Sequence, residues 1–142
     1  MMKRILAFDV GDRRIGVAVS DALGITAQPV ETYHRKGGAE KDAEYLLALA
    51  KRYAPCTLLF GLPRNMDGTY GEQAEKVKKF AQRLIDRWDG DYAFYDERLT
   101  TMAAQRVLID AAISREKRKQ VIDKMAAVVI LQGYMESHRN QL

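Results

Sequence analysis

The chain has 142 residues, 47% of them hydrophobic and 30% charged, which suits one compact domain and excludes a disordered chain. No apolar run is long enough to span a bilayer, and Asp9 interrupts the first one too early for a signal peptide, so a cytoplasmic protein is expected. A net charge of +4 permits a polyanionic partner without demanding one, and the single cysteine, Cys56, reads as a buried structural thiol with no disulfide partner in the chain.

A short, nearly continuous apolar run predicts a buried strand from Lys3 to Val10. Ile15, Val17 and Val19 alternate on one side of a second strand, Arg14 to Ser20. Gly11-Asp12-Arg13 supplies the turn between them, so the two form a hairpin. A third strand is expected from Thr26 to Tyr33, pushed toward a sheet edge by Pro29. After the loop His34 to Gly38, a helix from Ala39 to Tyr53 sets Ala43, Leu46, Leu47 and Ala50 on one face and stops before Pro55. Cys56 to Phe60 is a short buried strand.

Thr69 and Glu72 have capping-box spacing and announce the next helix, with Val77, Phe80, Ala81, Leu84 and Trp88 on one stripe and Asp89-Gly90 at its end. Lys76, Lys78, Lys79, Arg83 and Arg87 decorate this helix, and a solvated face accounts for some of them. A fifth strand runs from Asp91 to Tyr95. A helix from Leu99 to about Ala111 and a final helix from about Lys119 to Ser137 complete the chain. The order β-β-β-α-β-α-β-α-α predicts an antiparallel meander, then αβ units whose strands run parallel to the first.

Three carboxylates stand in unusual places. Asp9 ends the most apolar strand, where a charge is costly unless it is paired or bound to metal; a turn aspartate capping the hairpin explains it equally well. Glu97 lies just past the fifth strand. If strands one and five are parallel neighbours, Asp9 and Glu97 share the sheet edge where open α/β sheets hold ligands; otherwise Glu97 is a solvated loop residue. Asp123 lines up at helical spacing with Ala126, Ala127, Ile130 and Tyr134, or else it is an N-cap with the helix starting at Lys124. Three close carboxylates repel one another unless cations neutralise them, and their hard oxygens suit Mg²⁺ or Mn²⁺. His34 and His138 form no zinc-like cluster.

The stretches Ala7 to Asp21 (AFDVGDRRIGVAVSD), Gly61 to Thr69 (GLPRNMDGT), Asp96 to Thr101 (DERLTT) and Ile122 to Tyr134 (IDKMAAVVILQGY) resemble the YqgF/RuvX family over essentially the whole chain. That family is described both as pre-16S rRNA nucleases and as Holliday-junction-resolvase-like proteins. The resemblance implies a single RNase H-like nuclease domain over residues 1–142, an α/β fold with a five-stranded mixed sheet flanked by helices. It implies Asp9, Glu97 and Asp123 as catalytic, metal-binding carboxylates, and two Mg²⁺ or Mn²⁺ ions with substrate bound. Lys124 stands where the family often has a small serine-like residue, and Asp12 is not assigned to catalysis. The nucleic-acid contacts expected are Arg13, Arg14, Arg64, Asn65, Arg98, Lys117, Arg118 and Lys119. Arg64 and Asn65 precede a helix N-terminus, which favours phosphate. The basic run Arg115 to Lys119 is either an arm that grips nucleic acid or a solvated connection.

The expected partners are pre-rRNA or branched DNA and ribosomal precursor particles, with no membrane, the protein being a monomer or weak homodimer. Two rivals differ in class. Asp9-Val10-Gly11 also resembles the phosphate loop of actin-like ATPases, but 142 residues leave no room for their second domain, and no P-loop motif is present. A non-cleaving RNase H-like binding module gains nothing from clustered negative charge.

Overall fold

A computed structural model describes residues 3–63, 69–96 and 115–139. They form β1 (Arg4–Val10), β2 (Arg14–Ser20), β3 (Ala27–His34), α1 (Ala39–Tyr53), β4 (Cys56–Leu62), α2 (Glu72–Ile85), β5 (Tyr92–Asp96) and α3 (Arg115–Arg139). The helix expected from Leu99 to Ala111 lies outside the described residues.

The strands make one mixed sheet in the order β3-β2-β1-β4-β5. β1 pairs antiparallel with β2, and β2 with β3; β1 pairs parallel with β4, and β4 with β5. The meander and the parallel αβ additions are therefore as expected. Strands one and five are parallel but not neighbours, because β4 lies between them. Their C-terminal ends still share an edge, about 9–10 Å apart at ordinary strand spacing. Pro29 is on edge strand β3, beside the register shift between Val17 and Ala18, where its missing N–H costs least.

Alternation along the strands builds two cores. Leu6, Phe8, Ile15, Val17, Leu58 and Phe60 face α1 and α2, whose Leu46, Ala50, Val77, Phe80 and Leu84 close over them. Phe8, Phe60 and Phe94 form a row across β1, β4 and β5, with ring centroids 5.4 and 5.6 Å apart. Phe8 and Phe60 are fully buried, and each contributes about 1.5–3 kcal/mol through burial. Ala7, Ala18 and Leu59 face the other way, against Ala127, Val128, Ile130 and Leu131 of α3. Small residues at 7, 18 and 127 let this helix lie close to the sheet. The result is three layers, α/β/α.

Helix ends differ from expectation in three places. Gly71 is the N-cap of α2 with no side-chain cap bond, so Thr69 and Glu72 do not form the capping box. α2 ends at Ile85. The N–H groups of Arg87 and Trp88 then bond the carbonyls of Leu84 and Ile85, a tighter turn that still packs Trp88 against the core. α3 begins at Arg115, so the basic run Arg115 to Lys119 is helical rather than a loose arm, and Asp123 is interior to the helix rather than its N-cap. Among the described residues no helix is long and apolar enough to cross a membrane.

Candidate active site at the C-terminal edge of the sheet

Asp9 is the next-to-last residue of β1, half-buried at the edge shared by the C-terminal ends of β1, β4 and β5. Ile5 and Ala7 face α3, and alternation puts Asp9 on the same face. Its neighbours across the sheet are unusual. Gly16 pairs directly with it on β2. On β4 the register, which pairs Phe8 with Phe60, next brings Gly61 alongside. The residues directly beside Asp9 on both flanking strands are therefore glycines.

The hairpin that carries Asp9 is tightly made. The Gly11 N–H donates to the Arg14 carbonyl at 2.8 Å, and a Cβ on Gly11 would meet that same oxygen at 2.8 Å, so glycine is required there. The turn puts Arg13 exposed at the tip, at the same edge as Asp9. Arg14 falls on the α3 face by alternation, diagonal to Asp9 across the β1–β2 ladder.

Position 123 lies one helical turn before Ala127 and two before Ile130, on the α3 stripe that packs against Ala7 and Ala18. At the far end of that stripe Gly133 is spared contact with Tyr95, whose hydroxyl would lie 2.7 Å from an added Cβ. Tyr95 also meets Tyr134 edge-on at 6.3 Å. These contacts hold the end of β5, the strand that leads into position 97.

Glu97, Arg98, Arg64 and Asn65 lie outside the described residues, as do the side chains of Asp123, Lys117, Arg118 and Lys119. Among the described residues no three His, Cys, Asp or Glu side chains cluster as a metal site. Cys56 is buried as expected, donating to the Ala50 carbonyl at 3.7 Å, and burial pushes its thiol up to about 11.

One buried carboxylate is absent from the expectations above. Asp42 is 1% exposed, yet it accepts bonds from the Tyr33 hydroxyl at 2.8 Å and the Arg35 Nε at 2.9 Å. Arg35 also donates to the Gly11 carbonyl at 2.8 Å and lies over the Phe80 ring, 4.8 Å from its centroid. This network clamps the hairpin tip to the start of α1. The available signal was an aspartate on the same helical stripe as Leu46, Leu49 and Ala50.

Comparison with known proteins agrees with this architecture. A family model described as "RuvX: Holliday junction resolvase" matches residues 3–137. A protein of Clostridium novyi (strain NT), named "Putative pre-16S rRNA nuclease", is 52% identical over 134 residues, covering 94% of this chain and 98% of the relative. A protein of the same name from Halalkalibacterium halodurans is 51% identical over 140 residues, covering 98% and 99%. Among solved structures, T. thermophilus RuvC in complex with Holliday junction substrate superposes with a TM-score of 0.59 at 14% identity, covering 97% of this chain and 96% of that one. Identity that low speaks to the fold alone, and the fold is RNase H-like, as the motifs implied. The match along nearly the whole chain and the half-identical relatives make this chain a member of the RuvX family.

Proposed function

We propose that this protein, as one catalytic domain, is a divalent-metal-dependent nuclease that hydrolyses phosphodiester bonds in maturing the 5′ end of pre-16S rRNA. The observation that carries the reading is Asp9 at the C-terminal sheet edge, on the α3 face, between Gly16 and Gly61. A carboxylate with glycine on both sides leaves space above the sheet for an ion and a phosphate. The names of the half-identical relatives favour pre-16S rRNA as substrate. Such a precursor places the activity in the cytoplasm.

The donor set fits Mg²⁺ or Mn²⁺. Asp9, Glu97 and Asp123 offer only hard carboxylate oxygens, and position 123 lies on the helix stripe facing the sheet that carries Asp9. Bound there, the ions would supply Lewis-acid stabilisation of the attacking and leaving oxygens. The chain's own work is positional. β1 holds Asp9 through its pairing with Gly16 on β2, one residue beyond the last β1–β4 pair, Phe8 with Phe60. Arg13 at the hairpin tip and Arg14 beside it offer cations to the phosphate backbone, and Arg64, Asn65, Arg98 and the helical run Lys117 to Lys119 extend that contact.

The test is cleavage of a pre-16S 5′-leader RNA and of a four-way DNA junction, each with Mg²⁺, with Mn²⁺ and with chelator. Cleavage of the RNA that requires metal, and its loss in Asp9→Asn with binding retained, is the expected result. The family description favours one second reading, a resolvase. Preferential, symmetric cutting of the junction would establish it and would call for two active sites related by a two-fold axis. Binding without cutting under every condition would leave a non-catalytic module.

A further inference from the structure

A second charged feature lies on the opposite side of the hairpin from Asp9. An open cleft of about 560 Å³ between the start of α1 and the middle of α2 is lined by Arg35, Lys36, Lys76, Lys79 and Arg83, against the carboxylates of Asp12 and Asp42. Lys76, Lys79 and Arg83 share one face of α2, at i, i+3 and i+7. The five cations are not equally engaged. Arg35 is committed to Asp42 and to the Gly11 carbonyl. Arg83 bonds Glu40 at 2.9 Å with both groups about half exposed, and Lys76 stands 3.8 Å from Asp12 with both groups more than half exposed. Among the described residues Lys36 and Lys79 have no acidic partner. A solvated helix face would distribute its charges outward. Here they converge on a hollow whose floor is Phe80 and the Arg35 clamp.

The place of this cleft limits its ligand. β3 runs parallel to β1, so Arg35 and Lys36, just past its end, lie at the same sheet edge as Asp9. Asp12, on the cleft wall, is three residues from Asp9, a reach of at most about 10–11 Å. Arg13 stands exposed between the two faces. A polyanionic strand laid across the hairpin tip would meet Asp9 on one face and the cleft on the other. We infer that this cleft, through Lys36, Lys76 and Lys79, binds backbone phosphates of the nucleic acid flanking the bond cut at Asp9. The inference rests on the nuclease reading for its ligand.

The experiment is equilibrium binding of a fluorophore-labelled RNA hairpin in chelator, across a salt series, so that no cleavage is required. The parent, a Lys36→Ala/Lys79→Ala variant and a Lys51→Ala/Arg52→Ala variant are compared. Lys51 and Arg52 end α1 at the opposite edge, so the control removes the same charge. The cleft variant is expected to bind about tenfold more weakly and to flatten the salt slope by about 1.4–1.8, the value for two lost phosphate contacts. The control variant is expected to bind like the parent. Equal weakening in both variants would reduce the effect to net charge, and no weakening in either would remove the cleft from the interface; both overturn the proposal. A further arm titrates inorganic pyrophosphate. Saturable binding that Lys36→Ala/Lys79→Ala abolishes, with RNA affinity unchanged, would assign the cleft to a small phosphate compound and likewise overturn it. Absence of metal-dependent cleavage by the parent would refute the nuclease reading while leaving these binding results legible.

Discussion

Asp9 and Gly16 face each other across the β1–β2 ladder, so the carboxylate proposed for catalysis has no side chain opposite it. Gly16 is buried in a strand where a β-branched residue would ordinarily be favoured. Its presence there is a structural cost that makes sense if something must approach Asp9 closely. Replacing Gly16 by Ala adds one methyl group to that space. The expected outcome is a roughly 10–100-fold fall in metal-dependent cleavage, the scale of loss when a reacting group is displaced by about 1 Å. Circular dichroism and thermal midpoint should stay close to the parent's. An unchanged cleavage rate in a folded Gly16→Ala protein would show that the space is not used.

Much of this arrangement was legible in the sequence because it depends on local periodicity. The period-two pattern of Ile15, Val17 and Val19 and the Ala43, Leu46, Leu47, Ala50 stripe correspond to β2 and α1 at the ends expected. Pro29 told its strand's place at the edge for a plain reason, a missing donor. What did not follow was long-range order. Nothing local says that β4 inserts between β1 and β5, and the flanking of Asp9 by Gly16 and Gly61 exists only once register is known. The capping box failed because Gly71 already supplies the extended turn into α2, leaving Thr69 outside the cap. α3 starts earlier than expected because its first turns carry Arg115, Lys117, Arg118 and Lys119, a charge run that reads equally as solvated coil.

The Arg35–Asp42 pair should be the most sensitive polar contact in the described structure. Asp42 is 1% exposed and is satisfied by Tyr33 and Arg35 together. Asp42→Ala leaves a partly buried guanidinium without its anion, and urea denaturation is expected to show a loss of about 3–5 kcal/mol. Arg35→Met strands the carboxylate and should cost a similar amount. The double variant should recover part of the loss, because neither charge is then left alone. Strict additivity in that cycle would mean that the two residues do not interact in solution.

Asp123 offers a test that separates a helix cap from a site residue. An N-cap aspartate replaced by alanine costs about 1 kcal/mol, whereas asparagine replaces it with little loss. Position 123 lies eight residues beyond the start of α3, so no cap role is available. Asp123→Ala is expected to leave stability unchanged or slightly higher, since alanine is the better helix former and one repelling charge is gone. Cleavage should fall by two orders of magnitude or more in both Asp123→Ala and Asp123→Asn. Mg²⁺ is expected to raise the thermal midpoint of the parent, and that rise should shrink in both variants, because ligand binding stabilises only where a site exists. Full activity in Asp123→Asn would remove this residue from the active site.

Cys56 gives a pH dependence with a defined sign. Its thiol is 3% exposed, and desolvation raises it from 9.0 to about 11 in the folded protein. Burial favours the neutral form, so its stabilising effect is fully present below the unfolded value. That effect is lost as pH rises from about 9 to about 11, where the unfolded chain ionises first. Two pH units correspond to about 2–3 kcal/mol. Tyr33 and Tyr134 are also raised, first by burial, with the Asp42 hydrogen bond adding to Tyr33, and Tyr45 is raised first by its hydrogen bond to Glu31; all three add to the decline at the alkaline end. Cys56→Ala isolates the thiol, since the tyrosines are common to both proteins. The variant is expected to start lower at pH 7, having lost a buried sulfur, and to converge on the parent as pH approaches 11. The native thiol should also resist iodoacetamide at pH 8 and react on unfolding in urea. Parallel stability curves from pH 7 to 11 would show that Cys56 titrates alike in both states, and rapid native alkylation would show that it is not buried.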